Sequence, residues 1–352
     1  MSRQLGVGII GCGMATQAIH LPALAALTDT LSVRRCTDPD PAVAAEVARR
    51  TGAAVGGLDE LLADPAVDLV LVCSPERLHR EHVVAACEAG KRGVLCEKPL
   101  AGTVGDADAI VQASEATGVP VLVGTMHRYD AAVAELATRW PELLASADVV
   151  RSLAYLAPNE VLARTATDLL APTPQPGPPG PPRTEPIEVA IFRALANGVA
   201  VHHLPLVRMV FGPAIEDAQI AVAAPLGPAG YEISLHLDRG RAELNCVLTT
   251  LPRTEWALEI SGPAGAARVD FPPGFRTADS ARVEVRWYDD GTLRTESVEV
   301  HGGSGYVREW QHLVDVVRGD ATRLVPLAEG RTDVALANRM GDAAAARWRV
   351  TP

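Results

Sequence analysis

The sequence predicts an α/β fold: a doubly wound parallel sheet first, then an α+β region with a large, mostly antiparallel open sheet. Three observations carry that prediction. The first third of the 352 residues alternates short apolar runs with helical patterns. The first apolar run ends in a glycine pair, Gly11-Cys12-Gly13. Beyond residue 217 the chain reads as strands separated by turns. Strands that are apolar throughout and separated by helices need a parallel sheet covered on both faces, with right-handed crossovers.

The elements follow in order. Leu5–Gly11 is the first strand, and Thr16–Ala26 follows with helical spacing. Ser32–Thr37 is the second strand. Pro41–Thr51 is a helix with Pro at its start and Gly52 just past its end. Asp68–Cys73 is the third strand, and Arg77–Ala89 is a helix stopped by Gly90. Gly93–Cys96 is the fourth strand, Val104–Thr117 a helix stopped by Gly118, and Pro120–Gly124 the fifth strand. The pattern then changes, which divides the chain into residues 1–126 and 127–352. In the second part Val149–Leu156 is a strand. Residues 172–186 are too rich in Pro and Gly for helix or ladder, and read equally as a lid or an insertion. Ile187–Phe211 is helical in part. Strands follow at Asp217–Ala224, Tyr231–Asp238, Arg241–Thr249, Glu255–Ser261, Ala266–Phe271, Arg282–Tyr288 and Thr295–Val300. Asp238-Arg239-Gly240 and Asp289-Asp290-Gly291 mark hairpins. The helices Tyr306–Arg318 and Ala328–Trp348 close the chain, the last available to pack back on the first domain.

Composition narrows the function. Lys plus Arg number 32 against 43 Asp plus Glu, a formal net charge of -11. That argues against general affinity for nucleic acid. A single phosphate-bearing cofactor is still allowed, because backbone N–H groups hold phosphate without net positive charge. The six cysteines form no CxxC pair and have no CxxH neighbour, so no metal site is expected and a cytoplasmic location is. The N-terminus enters a strand at once, without a signal-peptide pattern, and no apolar run approaches a membrane span.

Gly11-x-Gly13 falls between a strand and a helix. Gly11 permits the tight turn, and Gly13 lets backbone approach a pyrophosphate at the helix N-terminus, beside Met14 and Ala15. The third position of the pattern is Thr16, a β-branched residue expected to loosen helix–strand packing. Asp38 ends the second strand. Its carboxylate suits both ribose hydroxyls and repels a 2′-phosphate, which favours NAD over NADP; Arg34 and Arg35 nearby weaken that preference. Ser74 and Pro75 follow the third strand, and His79 lies one helical turn on. Glu97-Lys98-Pro99 ends the fourth strand. A lysine there can donate a proton to a developing alkoxide or accept one from an alcohol. Burial and a nearby cationic nicotinamide would both lower its pKa toward the working range.

Together, Gly11-Cys12-Gly13, Ile19-His20-Leu21-Pro22-Ala23-Leu24, Ser74-Pro75, His79, Ala89-Gly90-Lys91 and Glu97-Lys98-Pro99-Leu100 resemble the Gfo/Idh/MocA family (glucose–fructose oxidoreductase and inositol dehydrogenase). The match is strong over about residues 5–130 and weaker thereafter. The resemblance implies an N-terminal Rossmann domain, a C-terminal α/β domain and a homodimer or homotetramer through the C-terminal sheet. It implies that Lys98 is catalytic and that Glu97 and Lys98 lie at the cofactor. The family's second signature is Asp-x-x-x-His, its histidine an acid/base or a substrate ligand. Here His202 takes the histidine place and His203 follows it. The aspartate place is Gly198, and a second acidic position is Pro205. His127-Arg128-Tyr129 stands where the family has pocket residues. Tyr129 there would supply a phenolic proton, and His127 and Arg128 would contact substrate.

These readings converge on an NAD(P)-dependent oxidoreductase that moves hydride to or from a small hydroxylated or carbonyl compound, such as a sugar or cyclitol. The missing carboxylate keeps two alternatives open. One is reduction of an imine or C=C bond with Tyr129 as donor; the other is a cofactor-binding relative without turnover.

Overall fold

The computed structural model describes residues 3–170, 185–249, 254–301 and 303–348. Most of the proline-rich run 172–186, predicted as a lid or insertion, lies outside the described residues. The described chain forms two compact units. The first gathers residues 3–124 with 163–170 and 306–334; the second holds the rest.

The first unit is built on β1 (Leu5–Ile10), β2 (Leu31–Thr37), β3 (Ala54–Val55), β4 (Leu69–Val72), β5 (Gly93–Cys96) and β6 (Val121–Val123). They pair in the order β3-β2-β1-β4-β5-β6, and every pair is parallel. The chain runs from β1 outward to β2 and β3, then returns to the other side of β1 as β4. That reversal opens a crevice at the carboxyl ends of β1 and β4. Both strands are buried along their whole length, as their unbroken apolar sequences require. The helix Pro41–Thr51 starts on an Asp40 side chain that accepts from the Ala42 amide, and stops at Gly52 with φ of 74°.

Two elements of this unit were not expected from the sequence, β3 and the helix Leu58–Ala63. Each is too short to show a period. Thr16–Ala26 resolves into a π-helical turn, Thr16–His20, and a short α-helix, Leu21–Ala25.

The second unit carries β7 (Val149–Leu156), β8 (Gln219–Pro225), β9 (Gly230–His236), β10 (Arg241–Leu248), β11 (Glu255–Gly262), β12 (Gly265–Phe271), β13 (Arg282–Asp289) and β14 (Thr292–Glu299). Their order is β14-β13-β12-β11-β7-β10-β9-β8. All neighbours are antiparallel except β7 and β10. Residues alternate along β10 and β12, one face buried and the other bearing charge. On the charged face Arg268 meets Glu255, Glu259 and Asp270 within 2.8 Å.

The buried face packs against a long interrupted helix. It runs Ile187–Leu195, then a π-helical turn Ala196–Ala200, then Val201–Phe211. Phe192, Leu195, Leu204 and Val207 sit in one core with Ile233, Leu235 and Leu244. This stretch corrects the expectation that no apolar run approaches a membrane span. Ile187–Asp217 is long and apolar enough, but most of it is buried. It reads as a core helix, apolar because both faces are covered.

Candidate functional site

At the end of β1 the chain turns through Gly11 with φ of 93°. A Cβ at Gly11 would lie 2.5 Å from the Cys73 carbonyl oxygen, so both conformation and space demand glycine. Gly13 is glycine for another reason: a Cβ there would meet nothing within 4 Å. The turn presents bare backbone to open space, the arrangement a pyrophosphate needs.

The turn is braced from behind. Thr16 is fully buried and its hydroxyl donates to the Gly11 carbonyl at 2.6 Å. The β-branched residue therefore locks the turn where looser packing was expected. The Gln17 amide nitrogen donates to the Cys12 and Leu170 carbonyls, and its oxygen accepts from the Leu170 amide. Asp38 reaches the turn from the end of β2. One carboxylate oxygen accepts from the Cys12 amide at 2.7 Å, the other from the Asp40 amide at 2.8 Å. A carboxylate has room for two further donors. Arg35, which had argued against NAD, is paired with Asp64 at 2.6 Å.

The loops after β4 and β5 are tied together. His79 is buried, its ring nitrogens 2.9 Å from the Ser74 and Pro99 carbonyl oxygens. It thus spans the two loops whose residues the sequence places at the cofactor. The Ser74 hydroxyl lies 2.8 Å from His82 Nδ1. In the second loop, the Glu97 carboxylate accepts from the Lys98 amide at 3.1 Å and lies 3.0 Å from His20 Nε2. Burial opposes ionisation of Glu97, but the His20 hydrogen bond and the charge of Lys98 hold its carboxyl below the usual range. Burial lowers the Lys98 amine from the usual lysine value, against the opposing charges of Glu97 and Glu76. The loop therefore offers an amine of reduced basicity beside an ionised carboxylate, a set suited to proton transfer.

The remaining candidates belong to the second unit. His127 and Tyr129 are buried on a 3-10 turn, Met126–Tyr129. Arg128 places a guanidinium nitrogen 3.1 Å from Met209 Sδ. His127 packs 4.0 Å from Phe271 and 4.5 Å from Trp256, ring centre to ring centre. His202 and His203 lie 5.3 Å and 5.6 Å from Trp256 on the same measure. Burial pushes both His127 and His203 down to about 3. Both are neutral rings at neutral pH. His203 is fully buried. At Gly198 a Cβ would meet nothing within 4 Å, so the missing carboxylate leaves space unfilled.

Sequence reasoning gave no role to His20, Gln17, Trp256, Phe271 or Trp310. His20 was quoted only as part of a motif. The others stand in apolar, helical or strand patterns that read as core.

The family described as "Oxidoreductase family, NAD-binding Rossmann fold" matches residues 5–125. The match to this Gfo/Idh/MocA family model covers the parallel sheet and stops where the second unit begins. Inositol 2-dehydrogenase 3 of Saccharopolyspora erythraea is 44% identical over 133 residues, 37% of this chain and 38% of that protein. The NADP(+)-dependent scyllo-inositol 2-dehydrogenase IolW of Bacillus subtilis is 32% identical over 124 residues, 35% of this chain and 34% of that protein. The alignments thus span a little over a third of these relatives. A levoglucosan dehydrogenase solved with NADH superposes over 98% of both chains with a TM-score of 0.75 and 20% identity, a likeness of fold.

Proposed function

We propose that the protein is an NAD(P)-dependent oxidoreductase acting on a small polyhydroxylated or carbonyl compound of the sugar or cyclitol class. The observation that carries this reading is the pairing of an open-backbone glycine turn with a half-buried lysine at the end of the next-but-one neighbouring strand. The dinucleotide would lie on the Gly11–Gly13 turn, its ribose hydroxyls on Asp38. The nicotinamide, when bound, supplies or takes up hydride. The Lys98 amine gives a proton to the oxygen of a forming alcohol, or takes it in the reverse direction. Glu97 holds an anion beside that amine.

NAD is favoured over NADP. A 2′-phosphate would face the Asp38 carboxylate, and Arg35 is engaged by Asp64. NADH should bind more tightly than NADPH in a fluorescence titration, and Asp38→Ser should narrow the difference.

Gly198 supports a second reading. Without a carboxylate to orient His202, reduction of an imine or C=C bond with Tyr129 as proton donor is the alternative. A panel of sugars, cyclitols and cyclic imines separates the two. In either case Lys98→Ala should keep dinucleotide affinity; loss of sugar or cyclitol turnover supports the first reading, and unchanged turnover removes Lys98 from it.

A further inference from the structure

Behind the Lys98 loop, within the first unit, lies a row of buried polar side chains. Trp310 is fully buried, and its indole nitrogen lies 3.2 Å from Nδ1 of the fully buried His20. An indole N–H only donates. His20 Nδ1 must therefore carry the lone pair, which places the ring hydrogen on Nε2. That N–H donates to Glu97 Oε1 at 3.0 Å, and Glu97 Oε2 accepts from the Lys98 amide at 3.1 Å. A donor-only indole thus selects one tautomer, and that tautomer offers a donor to the carboxylate.

We propose that Trp310, His20 and Glu97 are positioning residues, a hydrogen-bonded chain that holds an anion against Lys98 and so sets the proton affinity of its amine. The catalytic meaning of the chain rests on the proposed function; its tautomer and its effect on the amine do not.

The same tautomer opposes the other use of this cluster. Ligand atoms of His20, Cys73 and Glu97 lie within 4.8 Å of one another, close enough for a metal ion. A neutral His20 binding metal through Nε2 would need its hydrogen on Nδ1, where it would meet the indole N–H head on. Other titratable groups bear on the chain, and the Cys73 and Cys96 thiols lie in the field of Glu97. Glu76 and Cys73 act on Lys98, and Glu309 acts with Glu97. Glu309 is 1% exposed, and its Oε2 has no hydrogen-bond partner among the described residues. Burial, with the charge of Glu97, raises its carboxyl well above the usual range. Of the two carboxyls, Glu309 is the weaker acid. Glu97 is therefore the charge that the chain controls.

The test uses full-length protein with 15N-labelled histidine, without cofactor or substrate. In the wild type at neutral pH, His20 should show its hydrogen on Nε2 and a lone pair on Nδ1. Trp310→Phe removes the donor and keeps an aromatic ring. It should give a mixture of tautomers and lower the pH midpoint for acylation of the Lys98 amine by about half a unit, read by competitive labelling and mass spectrometry. Glu97→Gln removes the anion and should shift that midpoint further in the same direction. A wild-type hydrogen on Nδ1 overturns the proposal, whether or not Trp310→Phe folds. So does an unchanged Lys98 midpoint in Glu97→Gln, or in folded Trp310→Phe. Neither readout needs turnover, so failure here is distinct from failure of the oxidoreductase reading, which dinucleotide titration reports.

Discussion

Lys98 is where burial and charge compete most directly. Burial lowers its amine, and the neighbouring carboxylates limit the drop. Lys98→Arg keeps a cation but gives up a proton that can be released, because a guanidinium stays charged at working pH. It should retain dinucleotide binding and lose about a hundredfold or more in turnover, the lower range for a missing general acid–base group. Steady-state kinetics beside a binding titration checks this. Gly11 has no such latitude: Gly11→Ala places a methyl against the Cys73 carbonyl at positive φ. It should cost about 1–3 kcal/mol of stability, measured by urea unfolding. The residues of the Rossmann turn and the Glu97-Lys98-Pro99 tripeptide were legible because their chemistry shows in local spacing. His20 and Trp310 were not, because they are 290 positions apart and their meaning lies in a hydrogen bond between them.

The elements show the same division. Pro41–Thr51, β5 and Val104–Thr117 have the bounds their sequence predicts, since Pro, Gly and Thr mark their ends. Asp40 supplies one such end, and Asp40→Ala should cost about 1 kcal/mol by loss of the cap, read as a lower urea midpoint with an unchanged slope. The π-helical turns at Thr16–His20 and Ala196–Ala200 were not legible. A one-residue widening of a helix leaves no period in so short a run. Short helices such as Ala131–Arg139 and Pro141–Ser146 escaped for the same reason, whereas the strands β7 to β14 showed through their turns.

For the whole molecule, the sequence shows an N-terminal Rossmann sheet and an antiparallel sheet after it. It leaves the last helix available to the first domain but does not show that the whole of residues 306–334 joins that unit, because that depends on packing between segments far apart in the chain. Stability should carry the mark of the second unit's buried imidazoles. His127 and His203 titrate near 3 when folded, against a usual value of 6.5. Below about pH 6.5 the unfolded chain binds protons that the folded chain refuses, so stability falls as pH falls toward 3. Each ring contributes a slope of about 1.4 kcal/mol per pH unit in that window. His203 has no hydrogen-bond partner for either ring nitrogen among the described residues. His203→Leu should therefore be no less stable than the wild type at pH 7, and should lose its share of the acid slope; unfolding curves from pH 4 to pH 7 check both.

The central claim is that the Gly11–Gly13 turn receives a dinucleotide, and Gly13 offers its most direct test. A Cβ there meets no protein atom within 4 Å, so Gly13→Val should melt within a few degrees of the wild type. Fluorescence titration with NADH should show saturable binding to the wild type and at least about tenfold weaker binding to Gly13→Val, a loss of about 1.4 kcal/mol. No saturable binding to the wild type, or equal affinity in the variant, would contradict the account.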